Sequence, residues 1–286
     1  MEVIVGKYAG FCGGVKLAVQ KTEEAVTKNK DIYCLGDVVH NKQVIENLQA
    51  KGLKIVYDIN DVPNNSKMII RSHGEAKNIY EMAKEKNIEI IDTTCGNVKL
   101  VHNKVEKASE DSFIIVIGEK GHAETISHIG FAGENSFVVE DENDILDAYM
   151  KFENTGLDKV YVVAQTTFSM EKFDKLEKEI YTNFIEADVV VDKTICNATE
   201  TRQNECEAMS KEVDCMIVVG GKSSANTRKL VDISEKNCKN VYFIQTVKDI
   251  ENENFDGMQK IGIMAGASTP EYIINEIKNY LEEEYK

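Results

Sequence analysis

Three cysteines sit in polar turns that follow a short β-branched run and precede a stretch with helical apolar spacing. They are Cys12 in GFCGGV (10–15), Cys95 in DTTCGNV (92–98) and Cys196 in ICNATETRQ (195–203). A strand-to-helix turn needs glycine or small polar residues, not a thiol, and a structural cysteine more often lies within an apolar run. At a helix start, the dipole and the unpaired N–H groups stabilise a thiolate. Three thiolates without a fourth describe a metal centre with one open position. A 4Fe–4S cluster normally takes four cysteines, so three leave one iron without a protein ligand. Zinc with three cysteines and a water is the competing chemistry. Cys34, Cys206, Cys215 and Cys238 have no counterparts at equivalent positions and are expected to be structural. An odd total of seven with no C-x-x-C spacing argues against a disulfide framework and a thioredoxin-type site.

Other turns carry donors suited to an anion. Three of the five histidines, His40, His73 and His122, fall in polar turns at strand ends, and Ser224, Asn226 and Ser268 occupy matching turns later in the chain. Imidazoles, hydroxyls and backbone N–H groups bind phosphoryl oxygens well. Glu124 follows His122 by two residues, so on an extended or turn segment the two side chains point the same way. In a closed cavity such a carboxyl can stay protonated or exchange protons readily. Thr166 and Thr167, after Gln165, supply hydroxyls in the turn AQTT. His102 and His128 fall on expected helices and are read as surface residues. The stretch GGKSS (220–224) fails as a P-loop because Met216 stands where the first glycine must be. GHAE (121–124) lacks the following P-C-x-x-C of zinc deaminases.

The elements that position these turns recur three times. An apolar run, a cysteine turn and a helix occur at 3–26, 88–108 and 188–209. A strand with a polar turn follows at 32–48, 113–126 and 216–230. A short strand with acidic residues follows at 54–62, 136–145 and 241–250, and a further strand, turn and helix at 68–83, 160–176 and 261–277. Alternating strands and helices imply parallel sheets with right-handed crossovers. The expected fold is therefore α/β: three similar domains with small, mainly parallel sheets, over residues 1–95, 96–192 and 193–286, around a pseudo-threefold axis. Ligands of such sheets bind beyond the carboxyl ends of the strands. If these ends face inward, the three cysteine turns meet at a central cluster.

Composition narrows the class. The chain is 42% hydrophobic, enough for a sizeable core, and its formal net charge of −15 argues against nucleic acid or an anionic membrane as partner. No apolar run approaches the roughly 20 residues of a membrane span and no leader pattern opens the chain, so a cytoplasmic, soluble protein is expected.

The sequence resembles the LytB/IspH family of diphosphate reductases over essentially its whole length. The resemblance is carried by GFCGGV, DVVHN (37–41), RSHGE (71–75), DTTCGNV, GHAE, AQTT, ICNATETRQ, SSANTR (223–228) and AGAST (265–269). It implies an oxygen-sensitive 4Fe–4S cluster on Cys12, Cys95 and Cys196 with one iron not ligated by protein. It also implies reduction of a small allylic substrate, (E)-4-hydroxy-3-methylbut-2-enyl diphosphate, to isopentenyl and dimethylallyl diphosphate. The diphosphate would be held by His40, His73, His122, Ser224, Asn226 and Ser268, with Ala225 offering only its backbone N–H where some members have serine. Thr166, supported by Gln165, and Thr167 would orient the substrate alcohol, and Glu124 would supply protons. Electrons would come from a donor such as ferredoxin or flavodoxin. A non-catalytic iron–sulfur sensor or electron carrier, and a three-cysteine zinc hydrolase of a phosphorylated substrate, are the alternatives.

Overall fold

The computed structural model describes residues 1–285. In chain order the elements are β1 (Glu2–Val5), α1 (Gly13–Lys28), β2 (Ile32–Leu35), α2 (Lys42–Ala50), β3 (Leu53–Val56), β4 (Lys67–Ile70), α3 (Lys77–Glu85), β5 (Glu89–Asp92), α4 (Gly96–Ala108), β6 (Phe113–Ile117), α5 (Ala123–Ala132), β7 (Ser136–Val139), α6 (Asp144–Glu153), β8 (Lys159–Ala164), α7 (Met170–Asn183), β9 (Asp188–Val191), α8 (Asn197–Ser210), β10 (Cys215–Val219), α9 (Ala225–Asn237), β11 (Asn240–Ile244), β12 (Lys260–Ala265) and α10 (Glu271–Glu284).

The strands form three four-stranded sheets, ordered β3-β2-β4-β5, β7-β6-β8-β9 and β11-β10-β12-β1, with every neighbouring pair parallel. This is the α/β architecture of small parallel sheets expected from the repeats. The order shows a regularity: the strand leading into each cysteine turn is the edge strand of a sheet. β1 differs from its expected grouping with residues 1–95, because it pairs in register with β12, Glu2 opposite Lys260 and Val5 opposite Ile263. The reason is the same pairing rule that seats β5 beside β4 and β9 beside β8. The chain packs as two compact units. One comprises Met1–Leu17, Val39–Asn47 and Asn197–Lys286 and holds the sheet of β1, β10, β11 and β12; the other comprises Ala18–Val38 and Leu48–Cys196 and holds the other two sheets.

Each sheet is buried on both faces, so its central strands read as unbroken apolar runs. In β6, Phe113, Ile115 and Ile117 pack with Phe152, Phe173 and Phe184 on one face, while Ile114 and Val116 pack with Val101 and Val105 of α4 on the other. In β10, Cys215, Ile217 and Val219 meet Ile273 and Ile277, while Met216 and Val218 meet Cys206 and Leu230. Among the described residues no helix is long and apolar enough to cross a membrane.

Ile115 is fully buried between these layers, whereas Ile126 on α5 is half exposed. Ile115→Ala should cost about 2–5 kcal/mol in a urea titration, the usual result of an internal methyl deletion. Ile126→Ala should stay within about 0.5 kcal/mol of the parent.

Candidate active site

One hydrogen bond repeats in all three sheets. The amide of Cys95 donates to the Ser72 carbonyl (3.0 Å), that of Cys196 to the Thr166 carbonyl (3.0 Å) and that of Cys12 to the Ala267 carbonyl (3.3 Å). Each acceptor lies two residues past the end of the neighbouring strand, β4, β8 or β12. The parallel pairing of edge strand and neighbour is thereby carried beyond the sheet, and it seats each cysteine beside a polar turn. The next residue in those turns is His73, Thr167 or Ser268. The Cys95 and Cys12 carbonyls accept from Lys99 and Lys16, opening α4 and α1, and Cys95 is the N-cap of α4. None of the three is in a disulfide among the described residues, and each is only partly buried. The Cys196 sulfur accepts from Asn97 Nδ2 at 3.0 Å.

Within the larger unit, the structure gathers His122, Glu124 and Thr166. His122 is the N-cap of α5, its Nδ1 accepting from the Glu124 amide at 3.2 Å, and its ring meets that of His73 edge-on at 5.4 Å. Glu124 therefore lies in the first turn of a helix rather than on an extended segment, and it is 1% exposed. An uncompensated buried carboxylate would cost several kcal/mol. Here three donors converge on it: the Thr166 amide on Oε1, the Thr166 hydroxyl on Oε2 at 3.0 Å, and His128 Nε2 on Oε1 at 3.3 Å. Burial pushes the carboxyl up, but the hydrogen bond and charge of His128 and the Thr166 amide outweigh it and hold Glu124 below its ordinary value. The group rests as a carboxylate and not, as its enclosure alone implies, as an acid. Thr167 Oγ1 accepts from Gln165 Nε2 at 3.0 Å, and Gln165 Oε1 in turn accepts from the Glu119 amide at 2.9 Å, fixing the turn.

In the other unit, Ser224 is the N-cap of α9, accepting from the Thr227 amide at 3.3 Å. Ala225 and Asn226 form the first turn behind it. Ser268 Oγ donates to the His40 carbonyl at 3.0 Å, and Gly221 lets the chain approach that same carbonyl, where a Cβ would stand 2.5 Å from it. Asn226 is 5% exposed, yet neither end of its side-chain amide finds a hydrogen-bond partner among the described residues. Buried amides are almost always satisfied. An orphaned one at a helix N-terminus, among free first-turn N–H groups, suits an anionic ligand.

Two expectations are corrected. His102 and His128, read as surface residues, are 3% and 0% exposed. Both lie on the faces that α4 and α5 turn toward each other, where His102 stacks on Phe131 at 4.2 Å and its ring meets that of His128 at 5.2 Å. Burial pushes the His102 imidazole down to about 3. Gly74 makes room for it: at φ 74° it has a left-handed backbone, and a Cβ there would lie 2.6 Å from His102 Cε1.

Sequence reading missed several supporting residues. Asn97 lies two positions after Cys95, within DTTCGNV, where the sequence assigns it no role of its own. Arg202 and Glu205 of α8 clamp the segment before Cys12: the guanidinium donates to the Tyr8 and Gly10 carbonyls, and the carboxylate accepts from the Lys7 and Tyr8 amides. The four remaining cysteines are buried, as expected, and burial raises the thiols of Cys34, Cys206 and Cys215.

The family model described as LytB protein matches residues 3–282. The chain is 40% identical over 283 residues to 4-hydroxy-3-methylbut-2-enyl diphosphate reductase of Caldanaerobacter subterraneus, covering 97% of this chain and 95% of that protein. It is 39% identical over 284 residues to the protein of the same name from Clostridioides difficile, covering 99% of each. Its fold is similar to the solved structure of E-1-hydroxy-2-methyl-but-2-enyl-4-diphosphate reductase from Plasmodium falciparum. The TM-score is 0.89 and the identity 32%, over 99% of this chain and 89% of that one.

Thr166→Val keeps shape but removes the hydroxyl donor to Glu124. At neutral pH the variant should lose about 1–3 kcal/mol of stability, the worth of a hydrogen bond to a buried charge. Because the folded-state carboxyl is depressed, this contribution is fully present above its ordinary value of 4.5 and is lost as the pH falls through the lower folded-state value. Urea titrations at pH 7 and pH 4 should therefore show the gap between parent and variant shrinking at the lower pH.

Proposed function

The chain belongs to the LytB family, and on that premise we propose that it reductively dehydroxylates (E)-4-hydroxy-3-methylbut-2-enyl diphosphate to isopentenyl and dimethylallyl diphosphate. The observation that carries this reading is the cysteine amide bond repeated at Cys12, Cys95 and Cys196. It makes the three thiols equivalent in local setting, and no other cysteine shares that setting.

The donor set fits an iron–sulfur cluster. Three partly buried thiols, none in a disulfide among the described residues, sit in turns, and an amide N–H already points at the Cys196 sulfur, as thiolate ligation favours. A 4Fe–4S cluster held by the three would leave one iron to act as Lewis acid and would deliver electrons to the substrate.

The chain's own residues do the rest. The α9 start, with Ser224, the Ala225 amide and the Asn226 side chain, receives phosphoryl oxygens; His40, His73, His122 and Ser268 complete the diphosphate contacts. Thr166 and Thr167 orient the substrate alcohol. Replacing C–OH by C–H consumes two electrons and two protons and releases water. Glu124 passes one proton toward the leaving oxygen, by way of the Thr166 hydroxyl that already bonds Oε2. Since the group rests as a carboxylate, it must be recharged with a proton in each cycle. A small acidic electron carrier, ferredoxin or flavodoxin, supplies the reducing equivalents.

Anaerobic purification of single-cysteine variants tests this. Cys95→Ser should lose most of its iron and all turnover, whereas Cys34→Ser should keep both near the parent level. Full iron loading in Cys95→Ser, or a colourless parent carrying zinc, would contradict the assignment.

A further inference from the structure

The Glu124 carboxylate has a partner that the proposed reaction does not use. His128 lies one helical turn on along α5, is fully buried, and places Nε2 3.3 Å from Glu124 Oε1. Its Nδ1 has no hydrogen-bond partner among the described residues, so the carboxylate is the one hydrogen bond found for this ring. A histidine kept only for packing would gain nothing from that arrangement, since an apolar side chain of similar size fills such a site without an unsatisfied nitrogen.

The surroundings hold both rings in place. His102, on α4, meets the His128 ring edge-on. Ser127 Oγ lies 2.8 Å and 3.0 Å from the carbonyls of Glu124 and His73, to one of which it donates, and its oxygen accepts a hydrogen bond from His102 Nε2–H at 2.9 Å. Two oxygens of Glu124 thus have separate duties: Oε1 is occupied by the Thr166 amide and His128, and Oε2 is left to the Thr166 hydroxyl.

We propose that His128 is a positioning residue: its Nε2 anchors Oε1 of Glu124 and so aims Oε2 at Thr166 and the substrate. This rests on the assignment of Glu124 as proton donor. Other ionisable groups nearby do not substitute for it. His122 bonds the Glu124 amide rather than its carboxylate, and His102 is taken by Ser127. Asp92, ending β5, pairs with Lys99 of α4 at 2.6 Å, and Glu75, before α3, pairs with Arg71 at 2.6 Å.

The test compares His128→Leu, which removes the donor, with His128→Gln, whose amide can still donate to Oε1. His128→Asn, too short to reach, replaces the leucine variant should that one be insoluble. Two readouts apply. The first needs no turnover: an infrared pH titration of the protonated carboxyl band, assigned to Glu124 as the band missing in Glu124→Gln. Loss of the donor should move its midpoint up by about one pH unit or more, and glutamine should restore most of the shift. The second is kinetic. The leucine variant should lose roughly tenfold or more in kcat through misplacement of the acid, with KM unchanged because His128 does not reach the substrate. The alkaline limb of its pH profile should move up with the infrared midpoint. An infrared midpoint that is the same in parent and leucine variant would overturn the proposal, as would equal kinetic damage in the leucine and glutamine variants. A parent enzyme inert toward the diphosphate would instead defeat the functional reading and leave the infrared comparison to decide the role of His128.

Discussion

The site depends on a backbone hydrogen bond made three times. In each sheet, the amide of a cysteine is tied to the carbonyl two residues beyond the adjacent strand. Parallel strands place their carboxyl ends on one edge of a sheet, and each then turns into a helix whose first N–H groups are unpaired. Tying one such turn to the next fixes a thiol next to a polar side chain before any ligand arrives. Chemistry can then vary among the three copies, with histidine, threonine or serine following the acceptor, while the scaffold stays the same.

Burial and satisfaction separate the roles of the polar residues. Glu124 is enclosed but fully supplied with donors, which rigidifies it and keeps it charged. Asn226 is almost equally enclosed and has none among the described residues. The first pattern fits the reacting role we propose for Glu124. The second fits the ligand contact we propose for Asn226. Arg202 and Glu205 serve a third purpose, bracing the segment before Cys12 from opposite charges on one helix face.

Much of this was legible in the sequence, because strand, turn and helix signals are local. The repeated segments located the strand ends that carry the proposed site residues, and the equivalent repeat positions set Cys12, Cys95 and Cys196 apart from the four buried cysteines. What was hidden depends on pairing across distance. That β1 joins β12 follows from a register between residues at opposite ends of the chain, which no local pattern encodes. His102 and His128 were misread because histidine is equally at home on a helix surface or in a core, and only the packing of α4 on α5 decides. The spacing of Glu124 and His128, four apart, would have suggested a pair had α5 been extended back to its true start at Ala123.

On the function we propose, the thiolates of Cys12, Cys95 and Cys196 would hold a cluster with one iron open to the substrate. Mössbauer spectroscopy of anaerobic, iron-57-enriched protein tests it most directly. One iron subsite should differ from the other three of a 4Fe–4S cluster, and the change on adding the hydroxylated diphosphate should be confined to that subsite. Equivalent iron sites that ignore the diphosphate, or protein that takes up no iron, would contradict it.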